Sequence, residues 1–327
     1  MICLGIESTA HTFGVGIVTG KGKILANARS VFTTKCGGIH PTKAKEHHEK
    51  AAESIMKDAF SQSHLTEQDI DLIAFSQGPG LPPCLLVGLK KAREIAIRNK
   101  IPLIGVNHCI AHLEIGRLLT KAEDPVLVYV SGANTQIIAY EGRKYRVFGE
   151  TLDNGIGNFL DGFARALGFG FPGGPKIMEL AKKAKRFVEL PYAVKGMDVS
   201  FGGIQTNLKQ KMMQGYAKED LAYSCQETVF AMVTEVTERA LAHTGKREVV
   251  LGGGVACNTR LQEMMRKMCK ARGAKSYKVQ NEFNNDNGAM IAWLGCVQYS
   301  CHKKNTGDAK ADIKPRWRTD DVEVYWR

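Results

Sequence analysis

Short apolar runs, each closed by small polar residues, alternate along the chain with stretches whose apolar positions recur every three or four residues. The first run, Ile2-Cys3-Leu4-Gly5-Ile6, leads through Glu7-Ser8-Thr9-Ala10-His11-Thr12 into Phe13-Gly14-Val15-Gly16-Ile17-Val18. That pattern predicts a strand, a small polar turn and a returning strand. The design starts again with Val126-Leu127-Val128-Tyr129-Val130, then Ser131-Gly132-Ala133-Asn134-Thr135-Gln136, then Ile137-Ile138-Ala139-Tyr140. Two such hairpins, each opening a mixed segment of strands and helices, predict an internal duplication. Between them, Pro41 starts a helix with Ala44, His48, Ala51, Ile55 and Ala59 on one face. A strand over residues 71–76 ends in Gln77-Gly78-Pro79-Gly80, a basic helix covers residues 84–99, and residues 102–106 form another strand. Leu221, Cys225, Val229, Val233, Val236 and Ala240 mark a long amphipathic helix, and a last apolar helix covers residues 289–299. Residues 302–314 are polar and read as a loop. The predicted organisation is α/β: a first lobe over residues 1–124, a second over 125–300 and a tail over 301–327.

Candidate chemistry gathers at the ends of these elements. His108 and His112, spaced i, i+4, share one helix face, so two imidazoles can converge on one metal ion; the other reading is one core and one surface histidine. The metalloprotease form of this spacing needs Glu directly after the first His, and here that residue is Cys109. The strand over residues 102–106 delivers His108 at its carboxyl end, where open α/β sheets collect ligands. Turns rich in Ser, Thr, Gly and Asn suit phosphate oxygens, although each hairpin alone reads equally as an ordinary one. The strand running into Gly252-Gly253-Gly254 and a following helix permits close approach of a nucleotide, or merely tight packing.

Length and composition narrow the class. With 327 residues and 44% hydrophobic content, the chain can bury a large core in two lobes. No apolar stretch reaches the length of a membrane span and the opening lacks a basic leader, so no membrane association is expected. Nine cysteines, an odd number without a CxxC pair, predict free thiols in a reducing cytoplasm. The net charge of +12 fits a polyanionic partner such as nucleic acid, and equally fits solvated lysines. Lys90, Lys91, Arg93, Lys182, Lys183, Lys185 and Arg186 are the densest cationic groups.

Several motifs, taken in order, resemble one family. They are Gly38-Ile39-His40-Pro41 with His47-His48, Phe75-Ser76-Gln77-Gly78-Pro79-Gly80, Val106-Asn107-His108-Cys109-Ile110-Ala111-His112 and Tyr129-Val130-Ser131-Gly132-Ala133-Asn134-Thr135-Gln136. Gly149-Glu150-Thr151-Leu152-Asp153, Phe171-Pro172-Gly173-Gly174-Pro175, Lys195-Gly196-Met197-Asp198, Gly252-Gly253-Gly254-Val255-Ala256 and Asp286-Asn287-Gly288-Ala289-Met290-Ile291-Ala292 complete the set. Together they resemble the universal tRNA threonylcarbamoyladenosine synthase family, the catalytic subunit of the archaeal and eukaryotic KEOPS complex. The resemblance implies the two-lobed fold of actin, sugar kinases and Hsp70, with duplicated mixed sheets flanked by helices and a nucleotide cleft between the lobes. It implies a metal held by His108, His112, Tyr129 and Asp286. Nitrogen with phenolate and carboxylate oxygen suits iron or zinc, and iron is the form associated with the family. ATP or threonylcarbamoyl-adenylate is implied as the bound nucleotide, facing Tyr129, Val130, Ser131, Gly132, Ala133, Asp161, Gly174, position 178 and Asn258. The implied reaction moves the threonylcarbamoyl group to the adenosine beside the tRNA anticodon. His11 is a candidate for proton transfer, with a purely local hydrogen-bonding role as the alternative. The implied partners are tRNA, a small kinase-like subunit and a small dimerising subunit, with the kinase fused after the end of the chain in some relatives.

Three positions depart from the family pattern. Ala133 stands where a second glycine is usual, Met178 where an acid is usual with Glu179 one residue later, and Gly202-Gly203 where Ser-Gly is usual. Leu86 and Val87 also replace a basic–apolar pair. The competing classes are a sugar or small-molecule kinase, which has no need of His108, His112 and Asp286 together, a metal-dependent peptidase, and a nucleotide-binding scaffold without catalysis.

Overall fold

The computed structural model describes residues 1–302 and 311–327. Part of the loop expected over 302–314, and of the tail expected over 301–327, therefore lies outside the described residues. The first hairpin forms as its alternation predicts: β1 (Ile2–Glu7) pairs antiparallel with β2 (Thr12–Thr19), and β2 with β3 (Ile24–Val31). After α1 (Pro41–Ser63) the chain returns as β4 (Leu72–Gly78), parallel to β1. It then passes through α2 (Pro82–Asn99) to β5 (Leu103–Asn107), parallel to β4, and into α3 (His108–Thr120). α2 begins two residues earlier than its apolar periodicity indicates, because Pro82 and Pro83 occupy its first turn, where a missing N–H costs nothing.

The second half repeats this plan. β6 (Val126–Val130), β7 (Thr135–Glu141) and β8 (Lys144–Glu150) form an antiparallel meander. A helical stretch follows: α4 (Ile156–Ala166), α5 (Gly174–Ala181), the two-residue strands β9 (Val194–Lys195) and β10 (Asp198–Val199), α6 (Gly202–Met213) and α7 (Lys218–Thr244). β11 (Glu248–Gly252) then joins β6 in parallel, and α8 (Thr259–Ala271) leads to β12 (Lys275–Tyr277), parallel to β11. The triple glycine does not run straight into that helix; a short 3-10 turn over Gly254–Cys257 intervenes. The sheet orders are β3-β2-β1-β4-β5 and β8-β7-β6-β11-β12, the same topology twice. The expected two-lobed architecture with duplicated mixed sheets is what the chain forms.

After β12 come α9 (Asn281–Asn284) and α10 (Gly288–His302). α10 follows the second sheet in sequence but lies on the first, against β1, β2 and β4 and beside α3. The approach is backbone to backbone: a Cβ on Gly16 would stand 2.1 Å from the Ala289 nitrogen, and one on Gly5 2.2 Å from the Ala292 nitrogen. α3 and α10 thus form a middle layer whose core runs from Cys3, Ala74 and Val106 of the first sheet to Leu127, Tyr129 and Val250 of the second. On the outer face of the first sheet, Leu4, Ile6, Val15 and Ile17 pack against Ala52, Ile55, Ala59 and Ile95 of α1 and α2. With helices on both faces, β1, β4 and β6 are buried nearly throughout. The tail from Ala311 straps the lobes together. Lys314 N–H donates to the Gln77 carbonyl in the first, while Thr319 bonds Gln136 and Trp326 bonds Glu114 further on. Among the described residues no helix is long and apolar enough to cross a membrane. All nine cysteines are free.

Candidate metal centre and nucleotide pocket

Two helix starts deliver the candidate ligands. Asn107, the last residue of β5, accepts hydrogen bonds from the Cys109 and Ile110 amides at 2.9 and 3.1 Å, a side-chain cap that starts α3 at His108. His108 and His112 therefore occupy successive turns of α3, as their spacing predicts. Asn287 caps α10 through the Met290 amide at 3.0 Å, which fixes Asp286 immediately before the cap residue. The His108 and His112 Nε2 atoms lie 3.4 and 3.3 Å from the same Asp286 oxygen, Oδ1. One donor atom from each of the three residues lies within 4.8 Å of the others, and all three side chains are buried. Tyr129, at the end of β6, has its ring centroid 5.2 Å from that of His112 and 6.3 Å from that of His108. His11, in the first hairpin turn, stands at the more open side with Nδ1 3.6 Å from Asp286 Oδ2. The structure thus brings all five predicted residues to one place.

It also adds one. Glu7, the last residue of β1, is fully buried, and its Oε2 lies 2.9 Å from His108 Nδ1. Its other oxygen accepts from Thr9 N at 2.7 Å and Thr9 Oγ1 at 2.5 Å. A carboxylate on Nδ1 fixes the imidazole tautomer with Nε2 free to ligate, the arrangement that commonly backs a metal-bound histidine. Electrostatics agree with that arrangement. Burial opposes charge on His108, but Glu7 and Asp286 on either side outweigh it and hold its pKa well above the usual range. Burial would likewise raise the Asp286 carboxyl, yet the neighbouring His108 and bonds to both imidazoles pull it well below. Burial and the nearby His108 keep the pKa of His112 low, and burial pushes the Tyr129 hydroxyl well up. The centre favours positive charge between two carboxylates. A proton on His108 meets that in part; a divalent cation would meet it with both imidazoles neutral. Two nitrogens, a carboxylate and an adjacent phenol therefore fit a transition-metal ion of borderline softness.

The candidate nucleotide residues lie on the second half of the chain, in the turn after β6, on α4 and α5 and at the start of α8. Directly after β6, the turn Ser131–Asn134 closes through Ser131 N to the Asn134 carbonyl at 2.9 Å, leaving Gly132 and Ala133 exposed. Its carbonyls at Ser131 and Gly132 receive the Gly157 and Asn158 amides of α4. Gly253, at φ +92°, lies against the Val130 carbonyl, where a Cβ would come within 2.4 Å. Gly253 thus serves close packing of the loops that follow β6 and β11. Ala133 is not among the residues with positive φ, so the alanine sits there without backbone strain. Asp161 accepts from the Gly173 amide at 2.7 Å beside Gly174, the first residue of α5. Met178, together with Tyr223, Gln226, Thr259 and Arg260, lines a cavity of about 470 Å³. Asn258 does not line it, and its amide is engaged: Oδ1 caps α8 through Arg260 N at 2.9 Å, and Nδ2 donates to the lining residue Gln226 at 2.9 Å. Glu179 points elsewhere and pairs with Lys182 at 2.7 Å. It does not replace the acid that Met178 lacks.

Comparison with known proteins places this geometry. The profile of the family described as tRNA N6-adenosine threonylcarbamoyltransferase matches residues 23–293. A protein of that name from Thermococcus kodakarensis is 54% identical over 327 residues, covering the whole of both chains. The chain belongs to the tRNA N6-adenosine threonylcarbamoyltransferase family. A Methanocaldococcus jannaschii relative named as a probable bifunctional tRNA threonylcarbamoyladenosine biosynthesis protein is 52% identical, and this chain spans 60% of its length. Among solved structures, HypF of T. kodakarensis superposes with a TM-score of 0.64 at 16% identity over 91% of this chain and 48% of its own. Component A of the Acidaminococcus fermentans (R)-2-hydroxyglutaryl-CoA dehydratase superposes at 0.57 and 14% identity over 92% and 99%. At such identities these two speak for the fold alone. Within the family assignment, Glu7 remains the residue that sequence reasoning passed over. The available signal was a lone carboxylate closing an otherwise apolar strand at its carboxyl end.

Proposed function

We infer that this chain transfers the threonylcarbamoyl group of threonylcarbamoyl-adenylate to the adenosine beside the anticodon of tRNA. It would act as the catalytic subunit of a KEOPS complex, with the small kinase-like and small dimerising subunits as partners and the cytoplasm as its place of work. The observation that carries the reading is the convergence of His108, His112 and Asp286 from two capped helix starts, next to the strand that leads into the exposed Ser131–Asn134 turn. In the reaction the exocyclic amine attacks the carbamoyl carbon, a C–N bond forms, the bond to the phosphate oxygen breaks, and AMP leaves with that electron pair. His108, His112 and Asp286, with Tyr129 as fourth ligand, would hold one iron or zinc ion, iron being favoured. Such an ion supplies Lewis acidity and a fixed point for the substrate's oxygens. Glu7 holds His108 in the ligating orientation. The turn at Ser131, Gly132 and Ala133 seats the phosphate, and Asp161, Gly174, Asn258 and the cavity at Met178 seat the ribose and base. His11, within reach of Asp286 and more exposed than the ligands, takes the proton lost by the amine.

The test is formation of threonylcarbamoyladenosine on a tRNA transcript by the chain together with its partner subunits. Product from wild type and none from His108→Ala with His112→Ala is expected. Wild-type metal content without product points to a scaffold, and full activity of the double variant removes the metal from the mechanism.

A further inference from the structure

The strap after Ala311 does more than tie the lobes together; with the start of α2 it builds an open groove of about 540 Å³ lined by Pro82, Lys314, Pro315, Arg316 and Trp317. Its surface combines an indole and two prolines with two cations. Lys314 Nζ lies 4.3 Å over the Trp317 ring. Lys314 and Arg316 are exposed, and among the described residues neither has an ion-pair partner. The nearby Arg318 differs, being held by Asp320 and Glu150. One turn along α2 from Pro82, Leu86 is 49% exposed and extends the apolar edge.

The backbone beneath is fixed. Lys314 N bonds the Gln77 carbonyl at 2.7 Å, Gly80 N the Pro315 carbonyl at 3.1 Å, and Gln77 Nε2 the Asp312 carbonyl at 2.6 Å. Gly78 lies so close that a Cβ would stand 1.9 Å from the Lys314 carbonyl oxygen. The groove also adjoins the metal centre through two contacts. The Trp317 carbonyl accepts from Asn107, the cap residue directly before His108, and Leu81 N bonds Thr9, which holds Glu7.

We propose that this groove docks unpaired nucleotides of the tRNA, next to the adenosine presented at the metal centre; the inference rests on the function proposed above. Unpaired bases stack on aromatic and other flat apolar surfaces without needing a particular sequence, while their phosphates seek unpaired cations. A rigid surface of two prolines and a half-buried indole, with two cations that make no ion pair among the described residues, offers both. A double helix, whose bases are already stacked, would use the cations alone. An acidic peptide would also need only the cations.

The experiment uses the full chain with an in vitro transcribed substrate tRNA whose anticodon-loop uridines are replaced by 4-thiouridine. Affinity is measured from low to physiological salt for wild type, Trp317→Ala and the double variant Lys314→Ala with Arg316→Ala. Metal content and ATP affinity serve as folding controls. The double variant, altered only at exposed side chains, should bind about tenfold more weakly, with a salt slope shallower by roughly 1–2. Trp317→Ala should lose roughly tenfold or more with little change of slope, and light should cross-link the loop to residues 314–317. Unchanged affinities and slopes, or cross-links confined to other surfaces, overturn the proposal. So does a loss in the double variant with none in Trp317→Ala and no cross-link, which leaves a plain cationic patch open to acidic peptides as well. Failure of the transfer reading is separate: docking with these losses but no threonylcarbamoyladenosine from the assembled complex would refute the chemistry and keep the groove.

Discussion

Glu7 decides how well His108 can serve as a ligand, because the bond at 2.9 Å from its carboxylate to Nδ1 sets which nitrogen faces Asp286. Replacing a carboxylate behind a ligating histidine typically costs 10–100-fold in metal affinity. Glu7→Gln is therefore expected to weaken iron and zinc binding by roughly that factor, measured by metal titration, while ATP affinity stays as in wild type. Equal metal affinity in the two forms would make Glu7 a packing residue. His48 makes a prediction of another kind. It is fully buried on α1 against Phe13 and His47, and burial, with the two neighbouring histidines, lowers its pKa to about 3. In the unfolded chain the same imidazole protonates near its ordinary value of about 6.5. Above about pH 6.5 both states are neutral and this stability is fully present. As pH falls toward about 3 the unfolded chain takes up a proton that the folded chain refuses, and on the order of 4 kcal/mol is lost. Urea midpoints at pH 7 and pH 4.5 should fall further apart in wild type than in His48→Gln; parallel shifts would show that His48 titrates freely in the fold.

At the scale of elements, the approach of α10 to the first sheet is the most demanding contact. Gly16 permits it, since a Cβ there would stand 2.1 Å from the Ala289 nitrogen and no flexible side chain could give way. Gly16→Ala should cost about 3 kcal/mol through forced displacement of the helix. It should also lower metal occupancy, because Asp286 lies two residues before α10. Denaturant unfolding and metal analysis of the same sample check both, and a variant that loses stability but keeps full metal content would separate the ligand from the helix. Much of this element plan was readable in advance. The repeated strand–turn–strand pattern gave the two sheets, and the i, i+4 histidines gave the helix that carries two of the candidate ligands, since side-chain periodicity follows directly from backbone geometry. The destination of α10 was not readable. It is apolar on all sides, so its pattern marks burial without saying in which lobe. Glu7 was missed for a related reason: its partner is about a hundred residues away in sequence, and only the β1–β4–β5 order brings His108 beside it. The Asn258 side chain looked like a base contact, yet its local role as the cap of α8 takes one of its two polar atoms.

For the whole molecule, the duplication is one of topology more than of independence. The second sheet, β8-β7-β6-β11-β12, is complete once β12 is made, whereas the first needs α10, which follows it by some 180 residues. Cys3, Ala74, Ile104 and Val106 of the first sheet face that helix and α3 in one continuous core. A fragment of residues 1–124 should therefore bind hydrophobic dyes and aggregate, where a self-sufficient lobe would unfold cooperatively; cooperative unfolding of the isolated fragment would contradict this. During synthesis the order matters in the same way. β1 to β5 leave the ribosome well before α10, whose surface shields them. Every nascent copy thus carries an uncovered apolar sheet until residues 288–302 have been made, a period in which chaperones, rather than its own fold, would have to keep it from its neighbours.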